Sequence, residues 1–179
     1  MHISFEAMKP ADTTQVVEFL CSNTFPFHTQ PTAQAAEVRA GVEEGRWWNE
    51  ETQGYWIFQN DQLLGMAALE DLCDPTPLFD LRLDQNHRGR GLGVVVLKAL
   101  TDFVFGSMPQ VLRFEGQTRE DNIGMRKTFL RAGFLKEAHY RLGWPTGEGK
   151  YVASLAYAIL RQDWESGSVT PLVWEDLSV

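Results

Sequence analysis

The chain has 179 residues, of which 44% are hydrophobic and 22% charged, a composition that supports one folded domain and disfavours disorder. Its net charge of −8 argues against a general nucleic-acid binder, which needs a basic surface. The same charge suits either simple solubility or the steering of a cationic amine toward the protein.

Residues 1 to 70 predict a strand, two helices and a β-hairpin. Apolar side chains alternate along the first strand and then recur at helical spacing behind a capping Asp12 or Thr13. Asn60-Asp61 is a favourable hairpin turn. The predicted elements are a strand over Ile3–Met8, helices over Gln15–Cys21 and Thr32–Glu44, and strands over Tyr55–Phe58 and Leu63–Leu69.

Two adjacent tryptophans, Trp47 and Trp48, follow the second predicted helix. An aromatic pair can stack on a cation, although tryptophans are more often part of the core. An acidic and aromatic rim would suit a polyamine, an aminoglycoside or a peptide N-terminus, and would equally suit no ligand. The acidic residues around the pair are Glu43, Glu44, Glu50 and Glu51.

A glycine-rich turn separates the predicted strand Leu78–Leu83 from a helix that begins near Leu92. The glycines allow a ligand close to the backbone, and the first N–H groups and the dipole of the helix favour an anion. Two arginines of the turn add positive charge. We therefore predict a phosphate site at Arg88, Gly89, Arg90, Gly91, Leu92 and Gly93, whose spacing fits neither the dinucleotide fingerprint nor the P-loop.

The remaining residues predict a strand, a helix and a closing hairpin. Asp121 or Asn122 caps the helix and Gly133 ends it. The element order β-α-α-β-β-β-α-β-α-β-β predicts an α/β fold, with a mixed, mostly antiparallel sheet and helices on both faces. The strand covers Gln110–Gly116, the hairpin Phe134–Trp144 and Lys150–Leu160, the domain residues 1–164, and an acidic tail residues 165–179.

No metal spacing is present among the four histidines, and Cys21 and Cys73 form no disulfide framework. The N-terminus lacks the features of a signal peptide, and no apolar run approaches the ~18 residues of a membrane span. We therefore expect a cytoplasmic protein with no nucleic-acid, membrane or metal partner.

Three segments together resemble the GCN5-related N-acetyltransferase (GNAT) family in its RimJ/RimL-like branch. They are Leu81–Gly93, with Arg-x-x-Gly-x-Gly over residues 88–93, Glu115–Phe134, and Tyr151–Trp164. The resemblance implies an N-acetyltransferase that uses acetyl-CoA as co-substrate, and also a homodimer. The acceptor would be a primary amine of a small molecule, an aminoglycoside or polyamine, or a protein N-terminus. The alternative is a non-catalytic acyl-CoA-binding regulatory module.

The resemblance also implies roles for individual residues. The turn would hold the CoA pyrophosphate, the backbone of Leu83 would pair with the pantetheine arm, and the Leu81 N–H would stabilise the oxyanion. Asn122 matches the CoA-contacting asparagine of the family.

For proton transfer, Glu115 is the preferred base and Asp80 its competitor, although each also suits a paired surface carboxylate. Phe129 and Met125 stand where the family often has a Tyr and a Ser, and neither can protonate the CoA thiolate. Water or Tyr140 would take that role, and Tyr140 also suits a strand residue on the sheet surface.

Overall fold

A computed structural model of the chain describes residues 2–147 and 149–174. One seven-stranded sheet has the order β1-β2-β3-β4-β5-β7-β6, and all neighbours are antiparallel except β4 and β5. This confirms the predicted α/β class and the mixed, mostly antiparallel sheet. The strands are β1 (Ile3–Ala7), β2 (Gln53–Gln59), β3 (Gln62–Glu70), β4 (Leu78–Leu83), β5 (Arg113–Arg119), β6 (Leu135–Gly147) and β7 (Lys150–Leu160). The helices are α1 (Thr13–Ser22), α2 (Ala35–Glu43), α3 (Leu92–Ser107), α4 (Ile123–Ala132) and α5 (Arg161–Ser166).

Helices cover both faces of the sheet, because side chains along β2 and β3 alternate between two apolar clusters. Tyr55 and Ile57 pack with residues of α3 and α4, whereas Trp56 packs with residues of α1 and α2. Among the described residues, no helix is both long and apolar enough to cross a membrane.

The predicted hairpin turn and the predicted ends of α4 are present in the structure. Asn60 and Asp61 have φ values of 46° and 66°, as a two-residue hairpin turn with both central residues left-handed requires. Asn122 caps α4, since its side-chain oxygen accepts a hydrogen bond from the Met125 N–H at 3.2 Å. Gly133 ends the same helix with a φ of 95°.

Some predicted boundaries are wrong. β5 begins at Arg113 rather than residue 110, because the Val111 N–H closes a turn onto the Met108 carbonyl at 3.1 Å. Helix α2 begins three residues later than predicted, and α5 was not predicted at all. Residues 167–174 follow α5 without a regular element, and the rest of the predicted tail, 175–179, lies outside the described residues. The domain boundary at residue 164 stays a prediction.

The sheet opens between β4 and β5. Only Leu78 and Phe79 pair with β5, opposite Glu115 and Gly116. A Cβ on Gly116 would lie 2.6 Å from Cζ of Phe79, so the two strands meet closely only where glycine stands. Beyond this contact β4 has a neighbour on its β3 side alone, and its other edge borders the cavities below.

Candidate active site

A basic groove of about 450 Å³ runs along the open edge of β4 and past the N-termini of α3 and α4. Four of its lining residues are Arg or Lys, and none is Asp or Glu, so the groove suits a polyanionic ligand. The four basic residues are Arg82, Arg88, Lys127 and Arg131.

The glycine-rich turn forms one wall of this groove. Gly89 and Gly91 have φ values of 75° and 80°, which explains the glycines, and a Cβ on either would meet nothing within 4 Å. The turn thus leaves space in front of the α3 N-terminus, whose first N–H groups have no intrahelical partner. Gly93 also lines the groove, whereas Arg90 and Leu92 do not.

Arg88 supports the turn rather than projecting its charge into open space. Its Nε donates to the Leu83 carbonyl at 2.8 Å and its Nη1 to the Thr24 carbonyl at 2.5 Å. The guanidinium also lies 4.9 Å from the Phe25 ring centroid, and its Nη2 is buried without a hydrogen-bond partner. Burial lowers the pKa of Arg88. Arg88 therefore has a supporting role that was not predicted, and it also lines the groove; its contact with the CoA phosphates stays a prediction.

Strand alternation directs two backbone N–H groups of β4 toward the groove. The Pro77 carbonyl accepts a hydrogen bond from the Glu115 N–H at 3.2 Å, so it faces β5. Every second residue of a strand faces the same neighbour, and Leu81 and Leu83 therefore also direct their N–H and C=O groups toward the opening. Both residues line the groove.

A central cavity of about 320 Å³ lies at the point where β4 and β5 separate. His28 Nε2 lies 2.9 Å from Oδ1 of Asp80, and the Arg82 guanidinium donates to Oδ2 at 2.8 and 2.6 Å. Asp80 thus holds both partners at once. The cavity is lined by Phe27, His28, Glu70, Leu78, Phe79, Asp80, Leu81, Gln117, Thr118, Asn122, Met125 and Trp144.

The Asp80 carboxyl is an acceptor in this arrangement. Burial alone would raise its pKa, but the charge of Arg82 and the hydrogen bond and charge of His28 together bring that pKa well below its usual value of 3.8. An ionised carboxylate can only accept, so His28 donates through Nε2–H. When the imidazole is neutral, its lone pair is then on Nδ1, as in the dyads in which a carboxylate orients a histidine base.

Sequence reasoning missed two titratable residues of the central cavity, His28 and Glu70. Burial and the charges of Asp80 and Asp71 raise the pKa of Glu70, with opposition from two arginines. Nothing in the local sequence distinguishes either residue, and His28 is a single histidine in a loop.

Two predicted proton-transfer residues, Glu115 and Tyr140, do not line these cavities, although Glu115 contacts Gln117, which lines the central cavity. Glu115 is 8% exposed, pairs with Arg113 at 2.5 Å and accepts from Gln117 at 3.0 Å, and it lines neither the groove nor the central cavity. Tyr140 is 53% exposed on β6 and lines neither as well. Asp80, by contrast, lines the central cavity.

The residues at the family positions for Tyr and Ser differ in their surroundings. Phe129 is fully buried and stacks on Tyr157 with 4.7 Å between ring centroids. Even a tyrosine at this position would therefore have its ring in the core. Met125 lines both the groove and the central cavity. Asn122 lines both too, but its Nδ2 already donates to Thr118 Oγ1 at 3.0 Å.

A lateral cavity of about 420 Å³ lies on the other side of His28, between α2 and β6. Trp47 is a 7% exposed member of the core under α1 and α2, and the Arg46 guanidinium already lies 5.5 Å from the Trp47 ring centroid. The predicted acidic rim is absent from this cavity, since Glu43, Glu44, Glu50 and Glu51 do not line it. The lining residues are Leu20, His28, Thr29, Gln30, Ala33, Glu37, Val38, Arg46, Trp47, Arg82 and Trp144.

The acetyltransferase (GNAT) domain family matches residues 2–135, and the chain therefore belongs to the GNAT family of N-acetyltransferases. Among curated proteins, none matches the chain.

Solved structures share the whole fold at low sequence identity. A chimera of the spermidine N-acetyltransferase SpeG from Vibrio cholerae with hSSAT has a TM-score of 0.79 at 14% identity, over 92% of this chain and 99% of its own. The Vibrio cholerae spermidine N-acetyltransferase in complex with CoA and spermine has a TM-score of 0.77 at 14% identity, over 91% and 98%. RimL, a ribosomal alpha-N-protein acetyltransferase in complex with coenzyme A, has a TM-score of 0.72 at 18% identity, over 88% and 93%.

Proposed function

We propose that the protein transfers the acetyl group of acetyl-CoA to a primary amine by direct attack within a ternary complex. The observation behind this proposal is that the three cavities share lining residues. His28 lines all three, Leu81 lies between the groove and the central cavity, and Trp144 lies between the central and lateral cavities. A donor in the groove and an acceptor in the lateral cavity would therefore meet beside His28.

The groove supports acetyl-CoA as the donor. The α3 N-terminus behind Gly89, Gly91 and Gly93 would hold the pyrophosphate, and Lys127 and Arg131 add cations along the same groove. The Leu83 backbone would pair with the pantetheine amides as an added strand would, which brings the thioester toward Leu81. CoA is named in the complexes of the Vibrio cholerae enzyme and of RimL.

His28 is the proposed general base, with Asp80 as the residue that orients it. An alkylamine arrives protonated because its pKa is about 10.4, and it must lose a proton before it attacks. Histidine is the side chain that most often serves as a general base, whereas Asp80, whose pKa is lowered, is a weak base. Glu115 is paired with Arg113, which also binds Glu137, so in this proposal Glu115 supports β5 instead.

The step balances in protons. His28 accepts one proton from the ammonium, and the neutral amine attacks the thioester carbonyl to form a C–N bond. The Leu81 N–H would stabilise the oxyanion, whose collapse breaks the C–S bond and expels CoA thiolate. The thiolate takes the proton held by His28, and the remaining amine proton leaves to solvent. This path needs neither Phe129 nor Tyr140 as an acid.

The experiment compares His28→Gln with His139→Gln, since His139 is exposed on β6 and lines none of the cavities. Loss of a general base should lower kcat by about 10²–10⁴-fold in His28→Gln, less at high pH where free amine is plentiful, and leave His139→Gln unchanged. Equal rates in both variants would remove His28 from the mechanism. Tight acetyl-CoA binding without transfer to any amine would favour the regulatory alternative. The homodimer and the cytoplasmic location stay predictions.

A further inference from the structure

We propose that the lateral cavity is a carboxylate-binding subsite formed by Arg46 and Trp144, and that the acceptor is a small α-amino acid. The inference rests on the proposed function, because the amine of the same molecule must reach His28. It selects one acceptor class from the wide range that the family uses.

Trp144 supplies a hydrogen-bond donor without a partner. Its Nε1 is buried and makes no hydrogen bond within the part of the chain that the structure describes, and an indole N–H can only donate. Because its side chain lines both the central and the lateral cavity, an oxygen atom of a bound molecule in either cavity is the partner it lacks.

The backbone before Trp144 is distorted. The β6–β7 register shifts between Tyr140 and Trp144, and Leu142 has a φ of 53°, which is rare for a large side chain. A Cβ on Gly143 would lie 2.9 Å from the Tyr140 Cβ, so this glycine permits the tight course of the chain. Bulges of this kind redirect a side chain, and strained backbone is concentrated at functional sites.

Arg46 supplies the charge. Among the described residues, no carboxylate lies within ion-pair distance of its guanidinium, which lies 5.5 Å from the Trp47 ring centroid and lines the lateral cavity. Its charge also acts at longer range on Glu70, whose pKa it lowers. Arg82 is the other arginine of this cavity, and Asp80 already occupies two of its nitrogens. A guanidinium matches a carboxylate in a bidentate pair, to which the Trp144 N–H would add a third hydrogen bond.

The charges along the path complement a zwitterion. Glu70 and Asp80 line the central cavity, which would receive the ammonium, whereas Arg46 lines the lateral cavity, which would receive the carboxylate. Glu37 is the one carboxylate in the lateral lining. A polyamine offers only cations and donors to this cavity and leaves the Trp144 N–H unpaired. Salt screens the overall charge of −8 over long distances, so the net charge does not decide which molecule binds inside the cavity.

An apolar wall suggests the kind of side chain. Leu20 and Val38 are buried core residues that also line the lateral cavity, together with Ala33. The cavity volume of about 420 Å³ is within the range of small-molecule sites. Amino acids with apolar side chains are therefore the appropriate probes.

The experiment uses matched acceptor sets based on leucine, valine and phenylalanine, each set holding the amino acid, its α-amide and its decarboxylated amine, with spermidine beside them. Acetyl transfer is measured on the full-length wild type, Arg46→Gln, Trp144→Phe and the control Arg39→Gln, whose arginine is exposed on α2 and lines no cavity. Arg46→Gln should raise KM for the amino acids by about tenfold or more, as expected for loss of a charged hydrogen bond, and should leave the decarboxylated amines unaffected. Trp144→Phe should act in the same direction with a smaller effect.

Binding of the same probes to the CoA-saturated enzyme separates the two proposals. Amino acids that bind through Arg46 without being acetylated would retain the subsite and overturn the proposed reaction. Transfer to spermidine or to the decarboxylated amines at rates equal to the amino acids, unchanged in Arg46→Gln, would overturn the subsite and retain the reaction. Neither binding nor transfer for any amine would overturn both.

Discussion

Replacing Arg88 by Met tests whether this arginine holds the turn or contacts the ligand. The variant keeps the aliphatic stem but loses the donors to the Leu83 and Thr24 carbonyls at 2.8 and 2.5 Å. Hydrogen bonds from a charged group contribute about 1.5–3 kcal/mol each, and removal of the unpartnered, buried Nη2 recovers part of that loss. We expect a net destabilisation of about 2–3 kcal/mol, which lowers Tm by about 5–10 °C in a protein of this size.

Arg90→Met is the matched control, since Arg90 is an exposed neighbour in the same turn. Its stability should change by less than about 0.5 kcal/mol, whereas loss of a cation near the phosphates should weaken CoA binding modestly and most at low salt. Thermal denaturation of the free proteins and calorimetric titration with CoA measure the two effects separately. An Arg88→Met protein that melts like the wild type but binds CoA poorly would contradict the supporting role.

Three further variants test the frame of the site. Arg161→Met should destabilise the protein by about 2–4 kcal/mol in chemical denaturation, because its guanidinium donates three hydrogen bonds, of 2.6 to 2.9 Å, to the carbonyls of Phe105, Met108 and Val111, which join the end of α3 to the segment before β5; an unchanged midpoint would refute this role. Gly116→Ala should cost about 1–3 kcal/mol through overpacking against the Phe79 and Phe129 rings, and a variant as stable as the wild type would show that the rings can move. Asp80→Asn should lower the free energy of unfolding near neutral pH, and this difference from the wild type should disappear as pH falls well below 3.8. A carboxyl with a lowered pKa contributes stability only while it is ionised. Urea denaturation at several pH values measures the difference, and an equal destabilisation in acid would contradict the prediction.

Local chemistry made part of the site predictable. The glycines of the turn and the cap at Asn122 have conformations or hydrogen bonds fixed by their immediate neighbours, so their residue types were sufficient. The side-chain alternation along β5 was also predictable, because alternate residues of a strand share one face. The side chains of Arg113, Glu115 and Gln117 do so and contact one another. Which side of that strand borders the cavity depends on the partner strands, which the sequence does not specify.

The pairing of His28 with Asp80 was not predictable, because distant segments form it. His28 belongs to the loop between α1 and α2 and reaches Asp80 on β4, 52 residues later. Trp144 reaches the cavities only after the irregular register of β6. The supporting role of Arg88 was not predicted for a similar reason, as its second partner, Thr24, lies 64 residues away. Such contacts follow from tertiary packing and not from periodicity.

Acetyl transfer from isotopically labelled acetyl-CoA to a mixture of primary amines, followed by mass spectrometry, tests the central claim most directly. The account predicts that the label appears on an amine nitrogen with the wild-type protein. It also predicts that Gly91→Val, which places a side chain in the space before the α3 N-terminus and strains a φ of 80°, abolishes the product together with CoA binding. Label that stays on CoA, or that is released only as acetate, in the presence of every amine would contradict the account.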